Sequence, residues 1–127
     1  MPRAADEFAQ HLNDVFRLFG PVALRRMFGG YGVYRDGLMF ALVADDTLYL
    51  KADAENMHDF EREGLAQFQY SRQGKLVGLS YYQAPDEVME DGVAAAQWAR
   101  RSFDAALRTA AKQTRRSRRK DRNIDTR

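Results

Sequence analysis

Cysteine is absent from the 127-residue sequence. That removes disulfides, thiolate nucleophiles and the cysteine patterns that hold structural zinc. Histidine is scarce as well. His11 and His58 are the only imidazoles, too few for a histidine-based metal site, and both read as ordinary surface or partly buried side chains. Long apolar runs are missing: the longest, residues 38–44, falls far short of the roughly 20 residues that span a bilayer. The N-terminus turns acidic at Asp6 and Glu7 without a signal-peptide core, so the chain reads as cytoplasmic. G-x-G-x-x-G, G-x-x-x-x-G-K-[ST] and G-x-S-x-G do not occur, which leaves no nucleotide cradle or nucleophile elbow to anchor an enzymatic reading.

What is present suits one ordinary globule. Hydrophobic residues make up 45% and aromatics 12%, enough for a core without covalent staples. The formal charge of +2 hides a division. Residues 114–127 hold seven basic and two acidic groups, whereas the rest of the chain holds 13 basic and 16 acidic. The sequence therefore reads as a folded domain over 1–112 and a basic tail over 113–127, disordered for want of apolar periodicity.

Phe8, Leu12, Val15, Phe16 and Phe19 fall on one helical stripe, and Gly20-Pro21 ends that helix. Residues 22–28 predict a strand that 31–34 continue past a glycine interruption, with Gly29, Gly30 and Gly32 permitting a bend. Asp36-Gly37 closes a hairpin. The nearly unbroken apolar run 38–44 predicts a central strand covered on both faces. A turn at Asp45-Asp46 leads to a strand over 47–51, then to a helix from Asp53 or Ala54 to Glu63. Asp53 is its cap, with Gly64 its left-handed stop and Leu65 packing back on Phe60. A second hairpin spans 68–82, and Ala84-Pro85-Asp86-Glu87 breaks the pattern. The last helix is expected from Asp91 or Gly92 to about Lys112, with a core stripe of Ala96, Ala99, Phe103, Ala106, Leu107 and Ala110 and Trp98 on its flank. The expected fold is α+β and two-layered. It has an antiparallel sheet of about five strands with helices mainly on one face, in the order α-β-β-β-α-β-β-α.

Few residues present themselves for chemistry. The stretch Met27 to Gly37 leads into a hairpin and not a helix, so it lacks the free amides that hold phosphates. The acids Asp45, Asp46, Asp86, Glu87, Glu90 and Asp91 occupy turns and a helix start, where carboxylates are favourable anyway. No cofactor or metal is expected. Six tyrosines lie on or beside predicted strands, an arrangement able to stack bases when exposed. Met27, Phe28, Tyr31 and Tyr82 are the candidate interaction surface. Arg115, Arg116, Arg118, Arg119, Lys120 and Arg122 form a compact cationic segment that would hold DNA or another polyanion without sequence selectivity.

Four stretches together resemble a known family. R-M-F-G-G-Y-G-V-Y at 26–34, L-M-F-A-L-V-A-D-D-T-L-Y-L-K-A-D at 38–53, L-S-Y-Y-Q-A-P-D-E-V at 79–88 and W-A-R-R-S at 98–102 look like the N-terminal domain of the TfoX/Sxy competence regulators. The resemblance covers about residues 8–111. It implies a two-layer antiparallel α/β fold. It also implies a part in regulating competence and DNA-uptake genes through contacts with transcription machinery such as the cyclic-AMP receptor protein. Full-length members carry a second, helical domain after this one; here the basic tail follows, so the chain is read as the single-domain form. The leading expectation is a non-enzymatic regulatory adaptor with a protein partner. The alternative is a small-ligand or nucleic-acid binding module built on the glycine bend and its tyrosines.

Overall fold

The computed structural model describes residues 4–27 and 29–125. Helix α1 (Ala4–Val15) forms on the predicted stripe, and a turn carries Phe16 and Phe19 onto the same side. Gly20 N–H donates to the Phe16 carbonyl at 2.9 Å where that turn closes. Strands β1 (Ala23–Met27), β2 (Gly30–Arg35), β3 (Leu38–Ala44) and β4 (Thr47–Lys51) follow as a meander. Then come α2 (Met57–Arg62), the hairpin β5 (Gln67–Arg72) and β6 (Lys75–Gln83), the short α3 (Glu87–Glu90) and α4 (Gly92–Asp125). The strands form one antiparallel sheet in the order β1-β2-β3-β4-β6-β5. The α+β, two-layer expectation holds.

The sheet has six strands where the sequence suggested about five. The difference lies in the glycine stretch. Residues 22–28 and 31–34 are not one bent strand: the chain reverses between Met27 and Gly30, and β1 and β2 pair antiparallel from Met27↔Gly30 to Ala23↔Tyr34. Gly29 holds a φ of +76°, which only glycine adopts freely. The glycines thus serve a reversal of direction, and β1 becomes an edge.

The core fills the space between one face of the sheet and the helices. Phe19 lies 5.1 Å from Phe40 and 5.9 Å from Phe103, ring centre to ring centre, while Phe16 meets Phe40 at 5.6 Å. Phe60 of α2 bridges Tyr82 at 5.3 Å and Trp98 at 5.2 Å. The helical layer is therefore anchored on aromatic contacts at both ends of the core, the kind that add to plain area burial. Central strand β3 is helix-covered on this face only. Among the described residues no helix packs on the opposite face, where Leu42 is nevertheless buried by the curl of the sheet itself.

Helix α4 is turned relative to the expected stripe. Trp98 is buried and Leu107 is 45% exposed, because the indole seats against Phe60 while its Nε1–H donates to Glu87 Oε1 at 2.8 Å. A large ring with a hydrogen-bonded edge outweighs one leucine in setting the phase of a helix. The helix also runs to Asp125, past the expected end near Lys112. Residues 113–125 contain neither glycine nor proline, and Arg, Lys and Gln are good helix formers. Missing apolar periodicity leaves residues 113–119 exposed, but it does not stop the backbone from coiling.

Candidate functional site

Of the residues expected to form an interaction surface, the three described, Met27, Tyr31 and Tyr82, do not share one face of the sheet, although Met27 and Tyr31 both line one notch. Tyr31 points to the helix side and stacks on Phe8 at 6.3 Å, and Tyr82 stacks on Phe60 on the same side. Met27 stands on the opposite face, and Phe28 lies outside the described residues. Gly29 is in the β1–β2 reversal and Gly37, at φ +79°, in the β2–β3 turn. Gly30 and Gly32 lie within β2.

The helix-free face is where the other side chains converge. Strand alternation and register place Met27, Tyr34, Met39, Leu42, Tyr49, Phe68, Tyr70, Leu79 and Tyr81 on it. The sheet curls so far that residues from the two edge strands meet. Met27 of β1 and Phe68 of β5 line one small notch of about 40 Å³ with Tyr31, Met39, Leu42, Val43, Ala44 and Leu79. Gly32 is the floor that lets this happen: a Cβ there would stand 2.8 Å from Met27 Sδ and 3.0 Å from Met39 Sδ. Of the six strand tyrosines, Tyr34, Tyr49, Tyr70 and Tyr81 share this face. Burial pushes the Tyr81 phenol up to about 12, with Tyr34 adding to the shift. Met39, Leu42, Phe68 and Leu79 are not singled out by sequence. The signal is there in their period-two spacing, but which parity faces the helices depends on the register.

The strand residues of this face carry charge of one sign. Among the described strand residues none is Asp or Glu, and the charged positions on this side are Arg25, Lys51, Arg72 and Lys75. The Arg25 guanidinium lies 4.9 Å from the centre of the Tyr34 ring and Lys51 Nζ 5.1 Å from that of Tyr81. Lys51 also donates to Ser80 Oγ at 2.8 Å, and burial holds its pKa below the ordinary lysine value against the pull of nearby Asp53.

Two of the acids noted in the sequence, Asp91 and Glu87, are engaged by local structure. Asp91 Oδ1 accepts from the amides of Val93 and Ala94 and so caps α4, and Glu87 holds the Trp98 indole. Asp45 and Asp46 adopt positive φ in their turn. Asp53 accepts from the amides of Glu55 and Asn56 and takes a two-pronged bond from Arg108, with Nε at 2.6 Å and Nη2 at 3.0 Å. That hydrogen bond is the main reason the Asp53 carboxyl titrates below its ordinary value. Arg108 also reaches Glu55, so it ties the approach to α2 onto α4. Ser102 Oγ is sealed in the core without a hydrogen-bond partner, out of reach of any substrate. Among the described residues no group of three or more His, Asp and Glu is placed to hold a metal ion.

The basic segment projects as helix. Lys112, Arg115, Arg116 and Arg119 recur at steps of three, one and three along α4, which sets them on one side, with Arg118 on its flank. All five are exposed. Lys120 and Arg122 continue along the same helical backbone.

Comparison with known proteins agrees with this architecture. Residues 14–106 match the TfoX N-terminal domain. The chain is 28% identical over 102 residues to Protein Sxy of Escherichia coli (strain K12), covering 80% of this chain and 49% of that protein. It is 32% identical over 76 residues to DNA transformation protein TfoX1 of Aliivibrio fischeri (strain ATCC 700601 / ES114), covering 57% of this chain and 36% of that one. The chain thus spans about half the length of these relatives or less. With the match extending over most of its folded body, the chain belongs to the TfoX N-terminal domain family.

Proposed function

We propose that this chain is a non-enzymatic regulatory domain acting in competence-type control of transcription, through contact with a second protein and with the basic end of α4 held against DNA. The observation that carries the reading is the family match over residues 14–106, which embraces the sheet and most of the helical layer. The name of one relative, DNA transformation protein TfoX1, points the same way. Local chemistry supports the non-enzymatic part. Asp91, Glu87 and Asp53 are engaged as cap, indole partner and clamp, and the sequestered Ser102 hydroxyl has no hydrogen-bond partner. The exposed cations of α4 support the DNA contact, since a row of Arg and Lys neutralises phosphates without reading bases.

Deleting the gene in its native host tests the regulatory role. Transcripts of DNA-uptake genes are expected to fall several-fold and to recover when the intact chain is restored. Unchanged transcripts would overturn the reading.

A further inference from the structure

The helix-free face of the sheet has no task in the regulatory role as stated, yet three of its properties narrow what it can hold. It is apolar at the centre. The notch is lined by Met27, Tyr31, Met39, Leu42, Phe68 and Leu79 among others, and its volume of about 40 Å³ suits the tip of one aliphatic side chain. Two thioethers in the lining let it adjust to such a tip. The face is also electropositive on an otherwise acidic body: Arg25, Lys51, Arg72 and Lys75 are its charged positions, while residues 1–113 as a whole carry more acids than bases.

The third property concerns the rings. Nucleobases bind open sheets by stacking on free aromatic faces. Here Arg25 lies over Tyr34, Lys51 lies near the Tyr81 ring, and Phe68 is stacked on Tyr70 while meeting Tyr49 edge to face at 4.9 Å. These rings are engaged with their neighbours. Cations around an apolar notch, with stacking faces taken, complement carboxylates flanking an aliphatic side chain.

We propose that this face binds an acidic protein segment, one aliphatic side chain of which enters the notch between Met27 and Met39 while its carboxylates pair with Arg25 and the other cations of the face. The proposal deepens the regulatory reading and rests on it for the partner being a protein.

The test uses the full chain with its methionine methyls isotopically labelled, because Met57 and Met89 report on the helix side and Met27 and Met39 on the sheet face. The probe is a short glutamate-rich peptide with one central leucine. Titration is expected to move the Met27 and Met39 signals and leave Met57 and Met89 in place. Replacing the central leucine by serine, or making the exposed-site variant Arg25→Glu, is expected to weaken binding about tenfold. Silence of Met27 and Met39 throughout the peptide titration overturns the proposal. So does movement with single-stranded oligothymidylate but not with the peptide, or movement with protein concentration alone, which would make the occupant nucleic acid or a second copy. Silent methyls alongside a fall in DNA-uptake transcripts on gene deletion would sink the docking face and leave the regulatory reading standing. Moving methyls alongside unchanged transcripts would do the reverse.

Discussion

Gly30 shows how one missing carbon can organise a sheet. A Cβ at this position would lie 1.9 Å from the Val43 carbonyl oxygen, a backbone atom with no room to retreat. Gly30→Ala must push β2 away from β3, and overpacking of this kind costs about 2–3 kcal/mol. We expect the urea midpoint to fall accordingly; an unchanged midpoint would show that the strands part freely. The same stretch was the most informative in the sequence, which identified its glycines as structural. It could not say whether they bend a strand or reverse it, because both need the same residues. The Met27↔Gly30 pairing decides that, and it is a tertiary fact.

Among the elements, α2 and α4 are joined by a clamp that the sequence showed only in half. The sequence placed Asp53 as the cap of a helix starting at Asp53 or Ala54. Helix α2 begins instead at Met57, and the Asp53 carboxylate holds the amides of Glu55 and Asn56 in the turn that leads into it. The second task of Asp53, holding Arg108 from 55 residues away, was not legible. In the sequence Arg108 stands four residues after Asp104, opposite the core stripe, at a spacing that allows an ion pair within its own helix. Asp53→Ala removes the turn bonds and the clamp together. We expect a destabilisation of about 1–2 kcal/mol, most of it from the lost amide bonds because a partly exposed ion pair contributes little. Arg108 lowers the Asp53 pKa in the folded state, from an ordinary 3.8. The clamp's contribution is therefore complete above that ordinary value and drains away as the pH falls through the lower folded one. Acid titration of wild type and Asp53→Ala should show the stability gap closing only in that acidic range. A gap that stayed constant to the acid end would refute the assignment. The phase of α4 carries a similar lesson: Ala and Leu spacing suggested one stripe, but the indole of Trp98 turned the helix toward Phe60.

For the molecule as a whole, charge is arranged in zones. Acids occupy turns and helices, the strands carry only cations, and a basic helix leaves the body at its end. Ending the chain at Lys112 removes seven of its basic groups. Residues 111–119 are exposed throughout, so the melting temperature of the body should stay where it is. DNA retention should weaken, and its dependence on log salt should flatten by about 0.9 for each phosphate that the helix no longer neutralises. Retention with an unaltered salt slope would move the DNA-binding surface elsewhere.

Spacing and composition within short windows were enough to give the class of fold, most of the order of elements, the family and the basic character of the C-terminal segment. Which parity of each strand met the helices, how far the sheet curled, and that Met27 and Phe68 would line one notch emerged only on folding. Those outcomes depend on contacts between residues far apart in the chain, where register and the packing of a few large rings set the geometry.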